Sequence, residues 1–131
     1  MAERKERRLT SEQKHILKEK GTEPAFTGKY WNHHEAGVYY CAGCGMPLFN
    51  STTKFDSGTG WPSFFAPADT KAIKENEDKI LLMKRVEAKC AKCDGHLGHI
   101  FTDGPKPTGL RYCINSAALE FKKKSAPEKK R

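Results

Sequence analysis

Hydrophobic positions recur with two different rhythms along the chain, and the change falls between residues 21 and 37. Before it, Ile16 and Leu17 form a small apolar face in a polar stretch. Thr10, with Gln13 three residues on, forms a capping box that predicts a helix opening at Thr10 and stopping near Gly21. Residues 21–32 carry Pro24 and Gly28 and read as a loop. That loop is expected to lie on the body, because Phe26, Tyr30 and Trp31 are costly to leave in water.

From Gly37 onward the pattern is mostly β. GVYYCAGCGMPLF predicts two strands joined by a tight turn, and KILLMKRVEAKC predicts a strand running into a second such turn at 90–95. GHLGHIF begins another strand, and GLRYCINSAALEF closes the body as a strand and short turn. KFDSGTGWPSFFAP is rich in Gly, Pro and aromatic residues and predicts a structured loop. KAIKENEDKI reads as turn or short helix, and DGPKPTG as a turn-rich connection. The expected class is mainly antiparallel β with a helical N-terminus.

Composition narrows the class without changing it. With 131 residues, 37% hydrophobic and 31% charged, the chain fits one small globular domain. The division expected is a charged arm at 1–9, a single domain at 10–121 and a basic tail at 122–131. No apolar run is long enough for a bilayer, and MAERKERRLTSEQ lacks the apolar core of a secretory signal, so a cytoplasmic protein without membrane contact is expected. The net charge of +8 invites a nucleic-acid reading, but the charge sits at the ends: +2 over residues 1–8 and +5 over 122–131, leaving +1 for the body. Such tails read as solvated ends, able to attract polyanions weakly and without specificity.

The five cysteines divide as four plus one. CAGCG at 41–45 and CAKCDG at 90–95 each place two sulfurs on one turn, with Gly45 and Gly95 just beyond. Two such turns predict a closed tetrahedral site of Cys41, Cys44, Cys90 and Cys93, which suits one structural Zn²⁺ with Zn–S near about 2.3 Å. A redox pair, two disulfides or an iron cluster fit less well: neither pair precedes a helical pattern, and the cysteines are too sparse for a cluster.

Cys113 is left over. In a strand it shares one face with Arg111 and Asn115. A cation favours the reactive thiolate, and an amide can orient an oxygen or a water. A buried, inert core cysteine is the alternative. GHLGH adds His96 and His99, candidate general acids that can equally be structural. His33 and His34 read as solvent-facing. In SGTGWPSF the glycines and Pro62 hold Trp61 rigidly, as a pocket wall or as core.

Taken in order, YYCAGC, LFNSTTKFDSGTGWPSF, CAKCDGHLGHIFTDGP and LRYCINSAALEF resemble the methionine-R-sulfoxide reductases of the B class, over residues 10–121. The resemblance implies a barrel-like pair of antiparallel β-sheets with short helices outside, and reduction of methionine-R-sulfoxide, protein-bound or free. It implies Cys113 as the catalytic cysteine, His96, His99 and Asn115 as polar site residues, Trp61 as the indole on the substrate methyl group, and the four paired cysteines as zinc ligands. Cys113 would become a sulfenic acid. Many members carry a resolving cysteine within the SGxGWP segment, and here Thr59 stands in its place. An external thiol, such as thioredoxin or glutathione, is therefore expected to recycle Cys113. Two other readings are a non-catalytic zinc module holding nucleic acid or a protein partner, and a different thiol enzyme such as a peroxidase.

Overall fold

The computed structural model describes residues 9–19, 21–80 and 83–123. Most of the two expected charged ends, 1–8 and 124–131, lies outside the described residues. Helix α1 (Ser11–Glu19) opens on the capping box read from the sequence. The Thr10 N–H donates to Gln13 Oε1 at 2.9 Å, and the Gln13 N–H donates to Thr10 Oγ1 at 3.1 Å. Ile16 and Leu17 turn inward and are buried.

Among the described residues nine strands follow: β1 (Gly37–Cys41), β2 (Pro47–Asn50), β3 (Lys54–Phe55), β4 (Ser63–Phe64), β5 (Ile73–Ile80), β6 (Met83–Cys90), β7 (His96–Phe101), β8 (Arg111–Ile114) and β9 (Leu119–Lys123). They form two antiparallel sheets, one ordered β2-β1-β9 and the other β3-β4-β8-β7-β6-β5. The mainly β class and the two sheets match the expectation. Two local readings are corrected. KAIKENEDKI contributes β5, not a turn or helix, because it pairs along the whole of β6. It is an edge strand, and the exposed, charged side chains of Lys74, Glu75 and Glu77 are how a sheet edge is kept from pairing with another chain. KFDSGTGWPSFFAP is not all loop, since it supplies β3 and β4, a two-residue ladder at the opposite edge.

The sheets meet through aromatic side chains. Phe49 of β2 stacks on Phe64 of β4 with centroids 4.3 Å apart, and Tyr39 of β1 meets Phe64 edge-on at 5.2 Å. Tyr112, beside Phe64 in the ladder, closes the group against Phe49. The loop before β1 lies on the body as expected. Tyr30 is buried, and its hydroxyl accepts the Phe121 N–H at 3.1 Å. Phe26 stays 54% exposed, edge-on to Trp31. His33 is a correction: it is held by the Tyr39 hydroxyl at 2.7 Å and packs on Phe121, whereas His34 is exposed beside Asp56.

Alternation sorts the larger sheet into two faces. Phe64, Tyr112 and Ile100 are register partners on the core face. The next row runs Phe55, Ser63, Cys113, His99, Glu87, Asn76, one residue from each of six strands. The β7–β8 contact in this row depends on Gly98, where any Cβ would collide with the Cys113 carbonyl oxygen and press on the Ile114 backbone. Gly98→Ala is expected to cost about 3 kcal/mol and lower the melting temperature by roughly 10 °C, read by thermal unfolding.

Candidate active site and cysteine cluster

The row across the larger sheet brings the chemistry together. Cys113, His99, Asn115 and Trp61 line one small pocket of about 110 Å³, with Thr22, Gly98 and Phe101 completing its wall. Cys113 and His99 are there because they are direct partners across β8 and β7.

His96 lies behind His99, not in the pocket wall. Three residues apart in a regular strand, the two rings would point to opposite faces. A register shift between Ala88 and Lys89 gives β7 one extra residue and turns His96 onto the face of His99. Their rings are 5.4 Å apart and edge-on. His96 is 2% exposed, and its Nδ1 lies 2.7 Å from Glu87 Oε2. Asn76 Nδ2 donates to the other carboxylate oxygen at 2.9 Å. Glu87 is fully buried, so this pairing is what makes a carboxylate tolerable there.

Arg111 flanks Cys113 on β8. Its Nε donates to Asp103 Oδ1 at 2.8 Å and its Nη2 to Oδ2 at 3.2 Å, and the guanidinium lies over the Phe101 ring at 4.4 Å. This pair holds the Asp103 carboxyl below the usual carboxylate range. Burial pushes the Cys113 thiol above its ordinary value, opposed by the Arg111 guanidinium and the Thr59 hydroxyl, which both favour thiolate.

Asn115 and Trp61 are fixed by Glu23, which the sequence reading did not single out. The Glu23 N–H donates to Asn115 Oδ1 at 3.0 Å, and the Trp61 Nε1–H donates to the Glu23 carbonyl at 2.9 Å. The Glu23 carboxylate accepts the Ser116 and Ala117 N–H groups at 2.9 and 3.0 Å, capping the short 3-10 helix Ser116–Ala118. Asn115 Nδ2 donates to the Leu97 carbonyl at 3.0 Å, leaving one amide hydrogen uncommitted by these bonds. No local pattern in TEPAF marks Glu23, because the partners of its carboxylate lie more than 90 residues away in the chain. Asp103 was within reach of sequence reasoning: it stands eight residues before Arg111 across a turn-rich connection.

The other four cysteines gather at one end of both sheets. Cys41 ends β1 of the smaller sheet, and Cys90 ends β6 of the larger one. All four sulfurs lie within 4.8 Å of one another, a group that could hold a metal ion. The two turns share one hydrogen-bond pattern, Gly45 N–H to Cys41 carbonyl and Asp94 N–H to Cys90 carbonyl, both at 2.8 Å. In each the residue after the second cysteine is left-handed, at φ 83° for Gly45 and 67° for Asp94. The equivalent of Gly45 is thus Asp94. Gly95 is instead a packing position, where a Cβ would press on Leu17. As bare thiols the sulfurs oppose one another: hydrogen bonding with Cys90, and burial, push Cys41 far up, while hydrogen bonds from Cys41 and Cys90 hold Cys93 down to about 2.

A β-sheet site with one thiol apart from a four-sulfur cluster defines a thiol-centred protein with a candidate metal centre. The SelR domain model matches residues 9–123, and the chain belongs to that family. It is 60% identical over 113 residues to the peptide methionine sulfoxide reductase MsrB of Thiobacillus denitrificans, covering 86% of each chain. The MsrB of Acinetobacter baylyi is 56% identical over 117 residues, covering 89% of this chain and 84% of the relative. The MsrB of a Synechococcus strain is 58% identical over 118 residues, covering 90% and 87%. Among the described residues, no helix is long and apolar enough to cross a membrane.

The raised Cys113 thiol has a measurable sign. Only the thiolate reacts, so alkylation of Cys113 by iodoacetamide should climb with a midpoint above the ordinary thiol value of about 8.5. Arg111→Met removes a group that favours thiolate, so its midpoint should rise further and its rate at neutral pH should fall.

Proposed function

We propose that the protein is a peptide-methionine (R)-S-oxide reductase whose single nucleophile is Cys113. The observation that carries the reading is the meeting of Cys113, His99 and Trp61 around one small pocket, in a chain whose relatives are named peptide methionine sulfoxide reductases. The substrate is methionine-R-sulfoxide, in oxidised proteins or free.

Each group has a role that its surroundings support. Trp61 offers its indole face to the substrate methyl group, held by its bond to the Glu23 carbonyl. The Cys113 thiolate attacks the sulfoxide sulfur while His99, nearest to it across the ladder, delivers a proton to the departing oxygen. His96, tied to Glu87, supports His99 from behind. Arg111 favours the thiolate, and Asn115 offers its remaining amide hydrogen to the pocket. Thiolate, sulfoxide and one proton give methionine and a Cys113 sulfenic acid. The methionine sulfur gains the two electrons that the cysteine sulfur loses.

Recycling falls to an external thiol, such as thioredoxin. The thiol attacks the sulfenic acid, releases water and leaves a mixed disulfide that a second thiol resolves. Thr59 offers no sulfur within the SGTGWP segment, and the other four cysteines sit in their own cluster. That cluster we read as a structural site for one Zn²⁺. Four sulfur donors at tetrahedral reach suit this ion, and a full protein shell leaves it no open position for catalysis. We extend the reading to a single domain over 10–121 and a cytoplasmic setting, where the thiols stay reduced.

Cys113→Ser should abolish thioredoxin-dependent reduction of the R sulfoxide while keeping metal content and melting temperature, and turnover surviving in this variant would overturn the assignment. Enzyme given substrate without reductant should gain one oxygen at Cys113 by mass, with no intrachain disulfide to that residue. Metal analysis of the purified protein should find one zinc per chain, and Cys41→Ser should lose it and unfold at lower temperature. Zinc retained by that variant would exclude the four-cysteine site.

A further inference from the structure

The loop before β1 presents one aromatic ring to water. Phe26 is 54% exposed, and no other large hydrophobic side chain among the described residues is exposed. Its backbone is as unusual as its exposure. Residues 24–27 make a tight turn, in which the Thr27 N–H donates to the Pro24 carbonyl at 3.3 Å and the Thr27 hydroxyl donates to the same oxygen at 2.6 Å. Phe26 is the third residue of that turn and stands at φ 67°, where glycine or asparagine is the ordinary choice. The chain thus holds a phenyl ring at a left-handed position and gains little burial from it.

The ring stands beside the pocket. The Phe26 N–H donates to the Gly60 carbonyl at 2.8 Å, and the Trp61 Nε1–H donates to the Glu23 carbonyl at 2.9 Å. Two bonds therefore fasten residues 23–26 along residues 60–61. The ring itself lies on Gly60, where a Cβ would come within 2.9 Å of two Phe26 ring carbons. Thr22, just before this run, and Trp61 both line the pocket. Trp31, half-buried, meets the ring edge-on with centroids 4.9 Å apart.

The position of the ring limits what can cover it. A pocket of about 110 Å³ has room for the end of one side chain, so a polypeptide that carries an oxidised methionine has to lie across the rim. A second copy of this chain fits poorly: one ring buries at most about 250 Å², well short of the roughly 1,000 Å² that a stable interface needs. The ends of the chain outside the described residues, MAERKERR and KSAPEKKR, hold no aromatic or branched aliphatic side chain to lay on it. Oxidised proteins do offer such side chains. Methionine sulfoxide is polar where methionine was apolar, so its formation in a core brings apolar neighbours to the surface with it.

We propose that Phe26, braced by Trp31, is a docking surface for the polypeptide flanking the oxidised methionine, and that it takes an apolar side chain next to the sulfoxide. The proposal rests on the reading of the pocket as the methionine-R-sulfoxide site and names the substrates favoured there: extended segments of oxidised protein with an apolar flank. Free methionine sulfoxide has no flank and leaves the ring in water.

The test compares three substrates within each protein, under one thiol reductant: free methionine-R-sulfoxide, a five-residue peptide with leucine on both sides of the sulfoxide, and the same peptide with serine there. In the parent protein kcat/KM should be about tenfold higher for the leucine peptide than for the serine peptide, carried by KM. Phe26→Gly removes the ring and suits the left-handed turn, and it should bring that ratio close to one. Phe26→Tyr keeps an aromatic face and should keep the ratio. Each ratio is taken within one preparation, so any loss of folded protein cancels. A parent ratio near one, or a ratio that Phe26→Gly leaves unchanged, would overturn the proposal, while turnover of the free sulfoxide would leave the reductase reading standing. A parent that reduces none of the three would overturn that reading and the docking surface with it. A concentration-dependent dimer in the parent, lost in Phe26→Gly by sedimentation, would assign the ring to a second copy and overturn the proposal.

Discussion

The register between β7 and β8 is the constraint on which the rest of the site depends. A shift of one residue would carry Cys113 away from His99 and turn one of them into the aromatic core. Gly98 fixes the register by close approach, since only a residue without a side chain fits against the Cys113 carbonyl. From that pair the row extends outward on both sides, to Ser63 and Phe55 in one direction and to Glu87 and Asn76 in the other. The site is thus one line of side chains across a sheet, with a single bulge that adds His96 from behind.

Burial and polarity are balanced along that line. Removing the Cys113 sulfur from water works against its thiolate, and the Arg111 guanidinium works for it. The same economy holds further out. Glu87 is buried without exposure and satisfied by His96 and Asn76; Glu23 is buried and satisfied by two backbone N–H groups. Glu23 also holds the indole and the amide that face the pocket, so one buried residue orients two of the side chains in its wall.

What could be read from the sequence was whatever has a local signature. The capping box of α1, the two cysteine turns, the lone Cys113 and its alternation with Arg111 all depend on residues a few positions apart. KAIKENEDKI misled because an exposed edge strand is polar on purpose, and its pairing with β6 runs through backbone groups that leave no mark on composition. His33 looked like a polar loop residue and is held by Tyr39 and Phe121, the latter 88 positions along the chain. The grouping of His96 with His99 needed the bulge, and the places of Glu23 and Glu87 needed the fold itself.

The sulfur cluster joins the last residue of β1 to the last residue of β6, one from each sheet. The Zn²⁺ proposed for that place would do for the two sheets what a seam does for two panels: neither could peel away at that end while it held. Opening of the molecule must then begin elsewhere, at the outer edges where β3 and β5 have a neighbour on one side only. Cys113 sits two strands in from the β3 edge and three in from the β5 edge, so its sulfur lies in the part of the sheet furthest from where opening begins.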